Sequence, residues 1–275
     1  MEKKIEILLS VMNLKNEKEY ENLIRQNNIK GQVIAINQVE DEKAIFNRVN
    51  GEQKIFSYKE KGASKSRNRL LKKAEGDICI FADDDTKYVE NYEEIIKKEF
   101  KNNPEADVII FYIENKYTKR EKIKKIGDKK LKFLDVMRVR TSEIAVTKEA
   151  IEKIRKMNIK FDCSFGPEGK FLKGEETIFI SDLLKNGFKI YSVNKKIGTV
   201  EGTESTWFTG FNKKYLYDQG AIFYRLSSKM YKVLILQYAI RKYFQYKENV
   251  SIYKAYKQMC LGAKKCKEIY DKRQF

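Results

Sequence analysis

Three consecutive carboxylates, Asp83–Asp85, form the sharpest chemical signal in the sequence. They directly follow the apolar run ICIFA (78–82), which predicts a buried strand. Adjacent carboxylates repel one another unless a cation neutralises them. Asp83 and Asp85 can face the same way and hold one Mg²⁺ or Mn²⁺, whereas Tyr88 stands where a calcium-binding EF-hand loop needs glycine. We therefore expect a metal site here, with an exposed acidic turn as the alternative.

A basic segment that begins with glycine, GASKSRN (62–68), precedes that strand. Glycine and small residues let the backbone approach a ligand. Lys65, Arg67 and Arg69 open a predicted helix, and a helix N-terminus favours anions. The segment is a candidate anion-binding site, and an ordinary amphipathic helix with a basic face is the alternative.

A second glycine-rich loop, within FGPEGKFLKGEETIF (165–179), leads into Glu175 and Glu176 at the first turn of a predicted helix. The chain contains no histidine, so acid–base chemistry at neutral pH falls to carboxylates, Lys, Tyr or Cys. The two glutamates are candidates for a general base that deprotonates a hydroxyl group. Alternatively, they only complement the helix dipole. Without histidine, a metal would be bound by oxygen ligands, which favours Mg²⁺ or Mn²⁺.

Buried strands and amphipathic helices alternate along the chain and would position these residues. The predicted strands are 4–11, 33–36, 55–58, 77–82, 108–113 and 189–193, and the predicted helices are 17–26, 64–74, 91–100, 147–157 and 175–185. This alternation predicts an α/β fold with a mostly parallel sheet and helices on both faces. Residues 116–132 are dense in charge and are predicted to form a loop or an edge hairpin.

The formal charge of +18 is unevenly distributed over the 275 residues. Residues 211–275 contain 15 Lys and Arg but only 4 Asp and Glu, a net of +11. A basic C-terminal region predicts an anionic partner, either nucleic acid or an anionic membrane. The alternative is a solvated, lysine-rich surface. No apolar run is long enough to span a bilayer, and four cysteines without CxxC spacing favour reduced thiols in the cytoplasm.

The basic region from residue 208 onward is predicted to be helical. Tyr217, Tyr224, Tyr231 and Tyr238 recur every seven residues, with Lys and Arg interleaved. A basic, aromatic and amphipathic pattern is typical of a helix that lies on a membrane surface. The alternative is that the tyrosines pack on the preceding domain or mediate oligomerisation.

Taken together, three segments resemble the family-2 glycosyltransferases of the GT-A fold. GASKSRNRLLKKAEGDICIFADDD (62–85) is similar to the family's Gly-x-x-x-Ala/Ser-Arg-Asn stretch before a strand that ends in an Asp-x-Asp metal motif. IKFDCSFGPEGKFLKGEETIF (159–179) resembles the Phe-Asp, glycine-loop and Glu-Asp motifs, and 185–207 resembles the return strand and closing loop. The segment 210–226 resembles bacterial enzymes that build capsular or other surface polysaccharide.

The resemblance implies a Rossmann-like GT-A catalytic domain over residues 1–207 and a basic helical extension over 208–275. It implies a metal-dependent, inverting transfer of a sugar from a nucleotide-diphosphate donor, most simply a UDP-sugar, to a polysaccharide or lipid-linked acceptor. The enzyme would be cytoplasmic and peripheral at the inner membrane face, without a nucleic-acid partner. Oligomerisation is left open.

The resemblance also assigns roles to residues. The donor-binding residues would be Val11, Met12, Asn13, Asn37, Gln38, Lys65, Arg67, Asp83 and Asp84. Asp85 would be the main metal ligand, with Asp83 as a second ligand. Glu176 would deprotonate the acceptor hydroxyl, while Glu175 would bind the acceptor or exchange that role with Glu176.

Two departures from the family pattern leave other functions open. Glu176 replaces the expected Asp, and the segment 198–207 lacks the histidine that many relatives carry, so Glu201, Glu204 or Ser205 would substitute for it or the metal would have fewer protein ligands. A catalytically inactive adaptor is therefore an alternative. A sugar nucleotidyltransferase is disfavoured because 12–19 lacks a glycine-rich loop, and a nucleic-acid-binding module does not explain three Asp residues after a buried strand.

Overall fold

The computed structural model describes residues 3–115, 127–200 and 210–272, and within them ten strands form one mixed sheet. The strands are β1 (Ile5–Met12), β2 (Gln32–Gln38), β3 (Asn47–Asn50), β4 (Gln53–Tyr58), β5 (Ile78–Asp83), β6 (Thr86–Tyr88), β7 (Val108–Asn115), β8 (Lys129–Lys130), β9 (Ile144–Thr147) and β10 (Ile190–Val200). Their order is β3-β4-β2-β1-β5-β9-β7-β10-β6, and β8 pairs with β10.

Nine α-helices lie in the same described residues. They are α1 (Glu17–Gln26), α2 (Ala63–Lys73), α3 (Tyr92–Asn102), α4 (Lys148–Lys156), α5 (Glu175–Lys185), α6 (Lys213–Leu226), α7 (Tyr231–Arg241), α8 (Tyr243–Tyr246) and α9 (Ile252–Asp271). Short 3₁₀ helices span Glu42–Ala44, Phe133–Arg138 and Thr141–Glu143. Each strand and helix predicted from the sequence is present, so the α/β alternation is confirmed.

The direction of the strands sets the edge at which a ligand can bind. β4, β2, β1 and β5 are parallel neighbours, and β10 is parallel to β7. The four-residue strand β9 runs antiparallel between β5 and β7. The carboxyl ends of β1, β2 and β5 therefore meet at one edge of the sheet, where α/β proteins bind their ligands.

Helices cover both faces of the sheet because its strands are apolar on both sides. In β1, Leu8 points into one hydrophobic cluster, whereas Ile7 and Leu9 point into the other. The cluster with Ile7 contains residues of α1 and α3, such as Tyr20 and Ile96. The cluster with Leu8 contains residues of α2, α4 and α5, which makes it the larger core.

The C-terminal helices extend this larger core. Ile235 and Tyr238 of α7 are buried in the same cluster as the sheet residues. The remaining heptad tyrosines, Tyr217, Tyr224 and Tyr231, are partly buried and pack against that cluster. The tyrosine stripe is therefore a packing surface in this structure. Within the described residues, no helix is both long and apolar enough to cross a membrane.

Two glycines let α6 and α9 cross at very short range. A Cβ atom on Gly220 would lie 1.8 Å from the carbonyl oxygen of Met259, and one on Gly262 would lie 1.8 Å from that of Tyr217. Each glycine thus faces the backbone of the other helix, where no side chain fits.

We expect Gly262→Ala to lower the free energy of unfolding by about 1–3 kcal/mol, because the added methyl group overpacks this crossing. At an uncrowded helix-interior position, the same change would stabilise by about 1 kcal/mol. Urea unfolding would measure the difference, with Lys264→Ala, at an exposed position of α9, as the control. A Gly262→Ala protein that is more stable than the parent would contradict the proposed constraint.

Candidate active site

The side chain of Arg67 joins two carboxylates that belong to different parts of the chain. Arg67 lies on α2, and its side chain is only 8% exposed. It donates to Asp83 at the end of β5, with Nη2 3.1 Å from Oδ1, and to Glu175 at the start of α5, with Nη1 2.9 Å from Oε1. Burial alone would lower the pKa of Arg67, but the charges of Asp83 and Glu175 raise it above its ordinary value. Arg67 therefore stays charged.

Neighbouring residues of the 62–68 segment fix α2 in place. The hydroxyl of Ser10 on β1 donates to that of Ser66 over 2.7 Å, and the hydroxyl of Ser64 donates to the carbonyl oxygen of Phe165 over 3.0 Å. The amide of Asn68 bonds to both backbone groups of Phe161, each over 2.8 Å. The segment thus ties the sheet edge to the loop 161–174.

The three aspartates form the connection between β5 and β6. Asp83 ends β5, and Asp84 and Asp85 form the turn before Thr86. The Asp84 side chain keeps contact with solvent, but crowding by the surrounding protein and the charges of Asp83 and Asp85 raise its pKa to about 6. Partial burial and the charge of Asp83 also raise the pKa of Asp85. The carboxylates therefore repel one another at this turn.

The acidic turn has carboxylates that could hold a cation if phosphate oxygens and water supplied the rest of its coordination shell. In the described ranges, no group of three or more His, Cys, Asp or Glu side chains converges as a metal site. Mg²⁺ is commonly held by one or two carboxylates, with phosphate oxygens and water completing its octahedral shell. Asp83 and Asp85 could supply these carboxylates, and a cation would relieve the repulsion that raises the pKa of Asp84 and Asp85.

Glu175 and Glu176 occupy different environments, although they are adjacent at the start of α5. Glu175 is buried and accepts the ion pair from Arg67. Glu176 is half-buried, and its crowded surroundings, together with the charge of Glu175, raise its pKa well above the ordinary value. Arg67 offsets this effect only in part. A carboxylate with a raised pKa is suited to accept a proton near neutral pH.

A glycine at the N-cap of α5 allows the helix to begin next to α6. Gly174 has φ of 98°, which is in the left-handed region that favours glycine. A Cβ atom at this position would lie 2.5 Å from Cδ1 of Ile222 on α6. The two glutamates are therefore presented by a helix start that only glycine accommodates without strain.

Helix α6 also contacts the loop 161–174 and the helix that follows it. Arg225 forms an ion pair with Asp182 of α5, with Nη2 2.6 Å from Oδ2, and contacts Asp162 of the loop over 3.3 Å. The carboxylate of Asp218 accepts from the backbone N–H of Leu172 over 3.3 Å. The C-terminal helices thus support the loop that leads to the two glutamates.

The residues expected to bind the donor's base lie together at the ends of β1 and β2. Met12 is exposed, and Asn13 has φ of 56°, which turns the chain out of β1. Asn37 is fully buried, and its amide bonds to the backbone of Leu14 and to Ser57. Val11 and Gln38 are also buried, and the Gln38 amide donates to the carbonyl oxygen of Gly62 over 3.2 Å. Asn37 and Gln38 therefore position the surrounding loops, and their contact with a donor stays a prediction.

Two further expectations concern Lys65 and the histidine replacement. Lys65 is exposed at the start of α2, so it is free of the buried network that Arg67 forms. Glu201, Glu204 and Ser205 lie outside the described residues, and their proposed role stays untested.

Sequence reasoning missed several residues that shape this site. Asn68 and Ser64 lie inside the 62–68 segment, but their backbone partners are about a hundred residues away along the chain. Arg225 and Asp218 lie in the basic C-terminal region, where the net charge drew attention to an external partner. The Arg-Asn pair of the family motif was the one feature of the sequence that pointed to Asn68, because it places Asn68 beside Arg67.

The sequence and the fold of this chain are similar to those of known proteins. Residues 40–164 match the model of the family described as Glycosyl transferase family 2. This match confirms the resemblance to family-2 glycosyltransferases. The matched range includes Arg67 and Asp83–Asp85 and ends before the two glutamates. The predicted enzyme class, a glycosyltransferase, is confirmed with it. No curated protein sequence matches the chain.

Crystal structures of S. aureus TarS 1–349 share the fold of this glycosyltransferase. The complex with UDP-GlcNAc has a TM-score of 0.59 at 14% identity, over 90% of this chain and 74% of that one. The complex with UDP has a TM-score of 0.58 at 14% identity, over 90% and 73% of the two chains. The predicted GT-A fold class, with its C-terminal helices, is confirmed.

We expect Arg67→Met to lower the free energy of unfolding by about 3–5 kcal/mol, because it leaves Glu175 as a buried charge without a partner. A second substitution, Glu175→Gln, should restore much of that loss. Urea unfolding of both variants would measure this. Arg69→Met, which breaks the more exposed pair with Glu60, should cost about 1 kcal/mol or less. Equal losses for the two Arg variants would contradict the central role of Arg67.

We expect Asp85→Asn to abolish metal-dependent UDP binding and to leave the fold intact, because it removes the carboxylate that is predicted to be the main metal ligand. Isothermal titration of UDP in the presence and absence of Mn²⁺ would measure this. Glu94→Gln, an exposed acidic residue on α3, controls for the loss of one negative charge. Unchanged UDP affinity in a folded Asp85→Asn protein would rule out the metal assignment.

Proposed function

We propose that this glycosyltransferase moves a sugar from a nucleotide-diphosphate donor, most simply a UDP-sugar, to a hydroxyl group of a polysaccharide or lipid-linked acceptor. The observation that carries the proposal is the bridge from Asp83 through Arg67 to Glu175. It brings the end of a parallel strand, where nucleotides bind, to a helix start that carries a candidate base. The UDP and UDP-GlcNAc bound in the TarS structures support the choice of donor.

On this proposal, the donor lies along the carboxyl ends of β1, β2 and β5. The exposed Met12 and the turn at Asn13 would contact the base, while Val11, Asn37 and Gln38 hold that edge in shape. The exposed Lys65 would approach the diphosphate at the start of α2. Asp84 would lie near the ribose.

The acidic turn would hold the cation that belongs to the diphosphate. A Mg²⁺ or Mn²⁺ bound by Asp85 and Asp83 would neutralise the charge that develops on the leaving group. Arg67 already neutralises part of the charge of Asp83. Cation binding would therefore weaken the ion pair between Asp83 and Arg67, and Arg67 would then pair mainly with Glu175.

The transfer is proposed to be a single displacement. The acceptor oxygen forms a bond to the anomeric carbon while the bond from that carbon to the donor's phosphate oxygen breaks. The electron pair of the broken bond leaves with the nucleoside diphosphate. The proton of the acceptor hydroxyl passes to a carboxylate oxygen of Glu176. Attack from the side opposite the leaving group inverts the configuration of the anomeric carbon.

The different environments of the two glutamates favour Glu176 as the base. Glu175 is buried and its Oε1 accepts from Arg67, so one of its two oxygens is already engaged in an ion pair. Glu176 is half-buried, and its raised pKa gives it the greater affinity for a proton. We propose that Glu175 orients α5 and the acceptor while Glu176 accepts the proton.

A lipid-linked acceptor would place the enzyme at the cytoplasmic face of an anionic membrane. The net charge of +11 in residues 211–275 supports this location, because anionic lipids attract basic protein surfaces. We propose that the enzyme is peripherally attached to the inner membrane.

We expect Glu176→Gln to retain donor binding but to lower the rate of sugar transfer by about 10² to 10⁴, the usual contribution of a general base. Release of UDP in the presence of an acceptor would measure the rate, and isothermal titration would measure binding. Glu175→Gln is the matched variant. If Glu175→Gln is inactive and Glu176→Gln nearly normal, the two roles are reversed.

The pH dependence offers a second readout of the same base. Because the pKa of Glu176 is raised, its carboxylate form is depleted at low pH and increases as the pH rises through that pKa. The parent enzyme's kcat/KM should therefore rise with pH over this range. The residual activity of Glu176→Gln should lack this rise, and an unchanged profile would exclude Glu176 as the titrating base.

A further inference from the structure

Helix α7 carries large apolar side chains on both of its faces, although only one face packs on the protein. Ile235, Tyr238 and Ala239 are buried in the larger core. On the opposite face, Val233 is 61% exposed and Ile240 is 59% exposed. Exposed apolar side chains gain free energy when a partner removes them from water. We therefore expect another molecule to cover the outer face of α7.

Large exposed apolar residues recur from Met230, just before α7, to Phe244 on α8. We name these residues the outer stripe: Met230, Val233, Leu236, Ile240 and Phe244. Val233, Leu236 and Ile240 follow one another at intervals of three or four residues, so they share one face of α7. Phe244, at the end, is 79% exposed. A row of large apolar side chains in water marks an interaction surface.

The charge around the outer stripe indicates what binds there. Residues 227–254 contain six Lys or Arg and a single acidic residue, Glu248. The basic residues are Lys229, Lys232, Arg241, Lys242, Lys247 and Lys254. Lys and Arg side chains can extend along an apolar surface and place their charged ends among lipid headgroups. A second copy of this face would instead bring like charges together.

We propose that the outer stripe inserts into the headgroup region of an anionic lipid bilayer. This inference rests on the proposed function, because it names the surface that would bring the enzyme to a lipid-linked acceptor. The buried tyrosine face of the same helices is excluded from this contact by its packing on the core. The membrane-binding face is thus the aliphatic side of α7, opposite the tyrosine stripe that the sequence indicated.

The packing of α6 gives this attachment a direct connection to the active site. α6 packs on α9 through Gly220 and Gly262, and its Arg225 is paired with Asp182 and Asp162. Helix α7 packs on both α6 and α9. Attachment through the outer stripe would therefore hold the loop 161–174 in a fixed orientation relative to the bilayer.

Co-sedimentation of the full-length protein with phosphatidylglycerol-containing vesicles would test this inference. We expect the parent to bind these vesicles and to bind pure phosphatidylcholine vesicles weakly. Val233→Asp/Ile240→Asp should lower the apparent affinity about tenfold or more, because it removes two aliphatic side chains from the acyl boundary. Val233→Ser/Ile240→Ser should give a smaller loss in the same direction. Some binding of the parent should remain near 1 M salt, where screening acts within about 3 Å.

The matched control is Val49→Asp/Leu134→Asp, which makes the same charge change at two other exposed apolar positions. It should bind vesicles like the parent. The inference is overturned if the parent does not bind anionic vesicles, if both Asp pairs weaken binding equally, or if the outer-stripe variant instead dissociates an oligomer. UDP titration of each protein separates this inference from the proposed function, because the outer-stripe variants should bind UDP normally.

Discussion

The buried guanidinium of Arg67 is the interaction on which the site depends. It is held between Asp83, at the end of β5, and Glu175, at the start of α5, so that two charges from distant parts of the chain are each compensated. Without such a cation, the repulsion between acidic groups would oppose the approach of α5 to the sheet edge. The fold therefore needs Arg67 before any substrate arrives, because the same guanidinium fixes the positions of Asp83 and Glu175.

Two helices, α2 and α6, contact the loop 161–174 and hold it in place. α2 binds it through Ser64 and Asn68, and α6 binds it through Asp218 and Arg225. These contacts connect the loop both to α2, beside the sheet edge, and to the C-terminal helices. The expected boundary near residue 207 remains a prediction, but the helices that follow it pack into the same hydrophobic core as the sheet.

Features with a local cause could be predicted from the sequence. α5 begins and ends where the pattern placed it, because Gly174 and the Asn186–Gly187 pair mark its limits. The four-residue strand β9 was missed, because its position depends on pairing with both β5 and β7. The motif drew attention to Arg67, but as an anion-binding residue. Its carboxylate partners could not be read from spacing, since Glu175 is more than a hundred residues away. The tyrosine repeat could be recognised in the sequence, but the sequence did not indicate which face of α7 packs on the core.

The close crossing of α6 and α9 has a consequence for the order in which the protein folds during synthesis. Gly262 lies against the backbone of α6, and α6 carries the Arg225 that pairs with Asp162 and Asp182. Until α9 has left the ribosome, α6 lacks the neighbour that covers it, and two acidic residues beside the active site lack a firmly held cation. At about 5–20 residues per second, the hundred or so residues after Asp162 take seconds to emerge. During that interval the loop 161–174 lacks its contacts with α6, so the packing of α9 against α6 is a late step in building the active site.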